Sequence, residues 1–291
     1  MRTAVSLARH LVCSLGVLFL LIADAAAVEH PTPQTPVRIG VTAVFLDHQT
    51  AFLDDWREYL ETRLQRRVVF KQRSTYREIM EMLLEEELDF AWICGYPFVL
   101  FRQRLRLLAV PIYQGEPLYQ SYLIVPETDT DTGSILGLRD KVFAYSDPDS
   151  NSGYLVPQFQ LHALGEDRNN FFRRSFFTWA HQKVVEAVAR GLANGGAVDG
   201  YVWDTLAKVN PELTSRTRVV MKSKKFGFPP FVARHGVDNS EFRKMKAVLT
   251  GMPNDTTGRA LLQRLNLDGF GQGNEQLFDG IAELVEAIPG G

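Results

Sequence analysis

The segment SDPDSNSGYLVPQ, Ser146 to Gln158, holds the densest group of side chains able to grip a small polar solute. Ser150, Asn151 and Ser152 are all good helix N-cap types, because their oxygens accept from the unpaired N–H groups of a first turn. The same donors, with the positive end of a helix dipole behind them, suit an anion. The stretch is therefore either a cap that only closes a helix or a cradle for a solute bearing oxygens. Asp147 and Asp149 oppose an anion unless they face outward and serve the dipole.

Other residues that can do chemistry fall at the ends of apolar runs. Cys94 closes LDFAWIC and precedes Gly95-Tyr96-Pro97, and Ser146 closes KVFAYS. Thr178 and Trp179 close SFFTWA, with His181 opening the next periodic stretch, and Tyr201 and Trp203 close VDGYVW. Tyr119 and Ser121 lie on a long connecting run, LYQSYLIVPE. Each has a plainer reading: His181 as a packing histidine, Tyr201 and Trp203 as core or rim aromatics, Cys94 as a small buried hydrophobe. No Cys-x-x-Cys and no metal-ligand spacing occurs, His30 and His48 are isolated, and no cofactor is implied.

The elements that must position these residues alternate. VRIGVTAVF (Val37 to Phe45), RVVFKQR, LDFAWICG and RLLAVPIY read as strands. Phe52, Leu53, Trp56, Tyr59, Leu60 and Leu64 repeat at helical spacing, and Ser74 is placed to cap a helix carrying Ile79, Leu83 and Leu84. After TDTDTGS a second series begins: KVFAYS, the helix at Ser150, SFFTWA, a helix from His181 to about Leu192, VDGYVW and RVVMKS, with a helical tail. Strands alternating with helices imply parallel-rich α/β sheets. Two such series predict a bilobed α/β protein whose solute binds beyond the carboxyl ends of the strands, in a cleft that closes.

The N-terminus places this protein. Arg2 and Arg9 precede an apolar run from Leu11 to Ala23, followed by Ala25-Ala26-Ala27. This is the layout of a secretory signal peptide over residues 1–27, with a Pro/Thr-rich lead over 28–36. Of the two cysteines, Cys13 falls in the leader, so Cys94 is a lone thiol in an oxidising compartment. A formal net charge of −2 over 291 residues gives no sign of nucleic-acid binding.

The ordered set IGVTAVF, LDFAWICGYP, PLYQSYLIVP, FAYSDPDSNSG, TWAHQKVVEAVARG, VDGYVW and RVVMKS resembles the PhnD-like phosphate, phosphite and phosphonate periplasmic binding proteins of ABC importers, from about Val37 to Phe270. The resemblance implies a type II periplasmic binding protein fold. Lobe 1 would comprise 37–122 plus 230–291 and lobe 2 would comprise 123–229, with crossings near Tyr119–Pro126 and Phe226–Arg234. It implies a periplasmic, monomeric solute-binding protein that is not an enzyme, partnered by a membrane ABC permease. Ser150, Asn151, Ser152 and His181 become the implied oxyanion contacts, and Tyr96 and Tyr119 resemble the family's aromatic contacts. Cys94 and Tyr201 complete the candidate set. Two features depart from the family pattern. Asn151 replaces a hydroxyl residue between the serines, and KSKKFGFPP stands where an aminophosphonate binder carries an acid, leaving only Asp199 and Asp204.

Cys94 also suggests an alternative. Some arsenite-sensing relatives place one cysteine at the ligand site and signal to a membrane histidine kinase, and soft thiolates suit trivalent arsenic. A hydrolase using Cys94 as nucleophile and His181 as base lacks any third group to orient the histidine.

Overall fold

The computed structural model describes residues 35–42 and 50–288. The leader expected over 1–27, most of the 28–36 lead, and the end of the run from Val37 to Phe45 lie outside the described residues. In the first α/β series, strands β1 (Val37–Val41), β2 (Val68–Gln72) and β3 (Phe90–Trp92) alternate with helices α1 (Thr50–Leu64) and α2 (Tyr76–Leu84). Helix α3 (Gly95–Phe101) then leads into β4 (Leu105–Ile112). The helical spacing read in α1 is real: Phe52, Trp56, Leu60 and Leu64 are all buried. β1 sits between β2 and β3 and runs parallel to both, which puts the three carboxyl ends on one edge of the sheet.

Two short crossings follow. β5 (Leu118–Tyr119) pairs antiparallel with β11 (Phe226–Gly227), and β6 (Ser121–Pro126) enters the second series. That series is β7 (Val142–Tyr145), α4 (Val156–Ala163), β8 (Arg174–Phe177), α5 (His181–Ala189), β9 (Gly195–Asp199), α6 (Gly200–Val209), α7 (Pro211–Thr214) and β10 (Thr217–Lys222). The chain returns through β12 (Phe231–Arg234), α8 (Asn239–Gly251), α9 (Thr256–Arg264), β13 (Gly269–Gly271) and α10 (Asp279–Ala287). One sheet is ordered β13-β4-β12-β3-β1-β2 and the other β10-β6-β9-β7-β8. β7 runs parallel to β8 and β9, while β6 and β12 run antiparallel to their neighbours because they carry the chain across and back. This is the bilobed α/β arrangement that the resemblance implies.

Three local readings need correction. VDGYVW is not a strand: β9 stops at Asp199, whose carboxylate accepts from the N–H groups of Tyr201 and Val202, so Tyr201 and Trp203 ride on α6. Ser74 does not cap α2. Thr75 does, in a reciprocal capping box with Glu78. The long run LYQSYLIVPE breaks at Gln120 into β5 and β6. The core of the first lobe is aromatic. Trp92 meets Trp56 at 6.1 Å and Phe270 at 5.6 Å between ring centroids, which ties the C-terminal β13 to the first strands.

Candidate functional site

β7 ends at Tyr145, and the chain then turns through Ser146 to Ser150. Ser150 is extended and its Oγ accepts the Gly153 N–H at 3.0 Å, so it is an N-cap. The turn it opens is wide: Asn151–Leu155 form a π-helical turn that runs on into α4. Such turns recur at functional sites because they let backbone and side chains point where a regular helix would not. Ser146, Ser150, Asn151 and Ser152 are all buried. Gly153 is required by close approach, since a Cβ there would lie 1.9 Å from Ser146 Oγ and 2.6 Å from Ser146 Cβ. Ser121 fastens the turn from β6 by donating to the Ser152 carbonyl at 2.6 Å.

His181 opens α5 beside this turn. Its Nδ1 accepts the Asp199 N–H at 3.0 Å, so Nε2 carries the proton, and Nε2 lies 3.5 Å from Ser150 Oγ. Burial pushes the imidazole down to about 3, which keeps it a neutral donor across the physiological range. Asp199 serves two neighbours: its backbone orients His181 and its carboxylate caps α6. Burial raises that carboxyl to about 7, against the pull of the Tyr201 and Val202 N–H groups.

The first lobe faces this set with rings and a thiol. Cys94, two residues beyond β3 and just before α3, accepts the Asn151 N–H on Sγ at 3.3 Å. Burial drives its thiol up to about 12, with the Asn151 N–H pulling the other way. Asn151 also donates its side-chain amide to the Tyr119 hydroxyl at 2.9 Å. Tyr119 is buried against Phe228, 5.7 Å between ring centroids, and burial raises its phenol strongly. Tyr96, in the first turn of α3, is nearly covered and its phenol is raised by burial and by Asp149.

Cys94, Tyr119, Ser150, Asn151, Ser152 and His181 are thus joined by direct contacts. Tyr201 is spent elsewhere: its hydroxyl donates to the Leu265 carbonyl and its ring packs on Tyr113 and Phe228. Asp204 is also committed, accepting from the Tyr113 and Tyr122 hydroxyls at 2.9 and 3.0 Å. Asp147 does not face outward. It is buried and its carboxylate accepts from Tyr76 N–H of the first lobe and from Asp149 N–H.

Three buried side-chain atoms in this region have no hydrogen-bond partner: Ser146 Oγ, Asn151 Oδ1 and the Tyr76 hydroxyl. Buried polar groups are nearly always paired, so three unpaired ones in one region stand out. Tyr76 was not selected from the sequence, although the strand-end argument that selected His181 applies to it: it opens α2 just after β2. Its phenol is raised strongly by burial and then by Cys94 and Asp147, which places it among these groups. Among the described residues, no group of three or more His, Cys, Asp or Glu side chains is placed to hold a metal ion.

Comparison with known proteins gives this geometry a context. The sequence profile of the family described as "ABC transporter, phosphonate, periplasmic substrate-binding protein" matches residues 39–278. A probable ABC transporter phosphite binding protein, PhnD1 of Prochlorococcus marinus (strain MIT 9301), is 22% identical over 153 residues, 50% of this chain. The alignment covers 52% of that protein, so the chain spans about half the length of the curated relative it matches. Among solved structures, a binding protein component of an ABC phosphonate transporter from Pseudomonas aeruginosa is similar with a TM-score of 0.78 and 20% identity, covering 86% of this chain and 85% of that one. PhnD1 from Prochlorococcus marinus in complex with methylphosphonate is similar with a TM-score of 0.77 and 18% identity, covering 87% and 98%. These structures share the bilobed type II periplasmic fold.

Proposed function

Because the chain belongs to the periplasmic substrate-binding proteins of phosphonate ABC transporters, we propose that it captures a phosphorus oxyanion (phosphite, phosphate or a small phosphonate) between its lobes and delivers it to a membrane ABC permease. The family is one of binding proteins and not of enzymes. The observation that carries the reading is the cluster of orphaned buried polar atoms, Ser146 Oγ, Asn151 Oδ1 and Tyr76 hydroxyl, around the Ser150 turn. The neutral His181 Nε2–H, the Ser152 hydroxyl and the phenols of Tyr76, Tyr96 and Tyr119 supply directional donors from both lobes, and hydrogen bonds to a charged oxyanion are the strong ones. Family membership supports a periplasmic location, in keeping with the leader expected over residues 1–27. Asp204 is already engaged by two tyrosines, which argues against a site built around a ligand amine.

Cys94 gives the sensor reading no specific support. Its sulfur is buried, already accepts the Asn151 N–H, and has no second cysteine beside it among the described residues to complete a soft donor set. Calorimetry with phosphite, methylphosphonate and phosphate tests the proposal. At least one is expected to bind with a Kd of about 1 μM or below, near −8 kcal/mol. Ser150→Ala is expected to weaken it at least about tenfold by removing the cap and the contact with His181. Absence of heat with all three overturns the reading.

A further inference from the structure

The two acids that precede the cradle do not face its contents. Asp147 Oδ2 accepts the Tyr76 N–H at 3.1 Å, at the first turn of α2 in the opposite lobe, while Oδ1 accepts the Asp149 N–H at 2.8 Å. Asp149 in turn takes a two-pronged bond from Arg77, Nε at 3.2 Å and Nη2 at 3.0 Å. Tyr76 and Arg77 are consecutive, Pro148 stiffens the link between the two aspartates, and Thr75 and Glu78 fix the start of α2 through their capping box. One carboxylate meets a helix N-terminus and the other makes a fork-shaped ion pair with the next residue. The Cys94–Asn151 contact crosses the same gap a few residues away.

We propose that Asp147, Asp149 and Arg77 form a closure clamp: positioning residues that hold the first turn of α2 against the cradle segment and set how long the closed lobes retain their ligand. This rests on the oxyanion reading above. The Arg77–Asp149 ion pair touches protein on both sides, so it acts on the lifetime of the closed state, while Asp147 also seats Tyr76, whose phenol is one of the proposed donors. The loop that recognises the ligand and the loop that locks the lobes are then one segment. Filling the cradle and shutting the cleft are coupled by the few bonds between Ser146 and Ser152.

The test uses the full chain with phosphite and methylphosphonate in stopped-flow binding, and small-angle scattering with and without ligand. Arg77→Glu and Asp149→Lys are each expected to raise the dissociation rate about three- to fivefold with the association rate within about twofold, since the ion pair is partly exposed. The double variant Arg77→Glu/Asp149→Lys is expected to recover most of the loss, which a merely structural role for either residue would not allow. Single reversals that leave dissociation unchanged, or a double variant no better than the singles, overturn the clamp while leaving the oxyanion reading intact. If the parent binds neither ligand nor phosphate, the oxyanion reading fails alone and scattering decides the clamp. A larger radius of gyration in each reversal than in the parent and the double variant supports it, and equal radii overturn it.

Discussion

From its parallel edge inward, the first sheet runs β2-β1-β3-β12-β4-β13 and the second runs β8-β7-β9-β6-β10. β3 and β9 therefore hold equivalent places, third from that edge, and the helix after each opens on the same pattern: Cys94-Gly95-Tyr96 at α3, and Asp199-Gly200-Tyr201 at α6. Both first residues are extended N-caps. Asp199 caps its own helix through two N–H groups, whereas the Cys94 side chain makes no cap bond and its sulfur turns to Asn151 of the other lobe. The same contrast holds at the next pair. Tyr76 opens α2 after β2 and gives its N–H to Asp147 across the gap, while His181 opens α5 after β8 and is oriented by Asp199 of its own lobe. In the second lobe the Asp199 cap and the seat of His181 are internal, whereas in the first lobe the Cys94 sulfur and the Tyr76 N–H are used across the gap, although α2 keeps its own capping box. Equivalent positions in one fold plan thus acquire different work through the donor or acceptor at the N-cap.

The largest test of this contrast is at two glycines. An added Cβ at Gly153 would strike Ser146 atoms at 1.9 and 2.6 Å inside the cradle. At Gly95 it would meet the end of the Ile281 side chain at 2.6 Å, which can move. Gly153→Ala is expected to cost about 3 kcal/mol in urea unfolding and to abolish ligand binding, and Gly95→Ala about 1 kcal/mol. Ser146→Gly should partly rescue Gly153→Ala. Equal losses at both sites would mean that the cradle is no tighter than its counterpart.

A smaller effect separates the two caps by pH. Asp199 has its carboxyl raised to about 7 in the folded chain, against 3.8 ordinarily. Below 3.8 both states hold the proton. Between 3.8 and 7 the unfolded chain loses it first, so folded stability falls as pH rises and reaches its full deficit above 7. Asp199→Asn, which keeps an acceptor for the α6 cap and does not titrate, should therefore gain stability relative to the parent between pH 5 and pH 8, by about 2 kcal/mol. Parallel unfolding curves at the two pH values would remove Asp199 as a buried acid.

The alternating plan was legible because its apolar spacing is strong. Val37 to Val41, Phe52 to Leu64 and the KVFAYS strand all fold as their periodicity requires. VDGYVW misled because apolar residues flank Asp199-Gly200 on both sides, so that a strand end and a helix start read as one run, and the capping geometry of Asp199 marks the join. Ser150, Asn151 and Ser152 stood out as a run of capping types and His181 and Cys94 by their places after strands, and the fold brings them into one set of contacts. Tyr76 was hidden behind Ser74, which offered a plausible cap one residue early. Asp147 and Asp149 read from sequence either as opposing an anion or as facing outward to serve the helix dipole. Their partners, Tyr76 and Arg77, lie 71 and 72 residues away in sequence, and no local pattern encodes a bond between lobes.

The smallest expected effect tests the least usual assignment, that Cys94 works across the gap and not on its own helix. A cap that makes no bond has little to lose. Cys94→Ser keeps a weak acceptor in nearly the same place and is expected to change unfolding free energy by less than about 0.5 kcal/mol at pH 5. Asp199→Ala at the same pH is expected to cost about 1–2 kcal/mol, because two N–H groups of α6 lose their acceptor. The serine hydroxyl is shorter than the thiol and reaches Asn151 less well, so ligand dissociation should quicken by about twofold even though stability barely moves. A stability loss at Cys94 as large as that at Asp199 would make the thiol an ordinary part of its own lobe. The two strand ends would then differ in residue type alone, and closure would rest on Asp147, Asp149 and Arg77 without help from the sulfur.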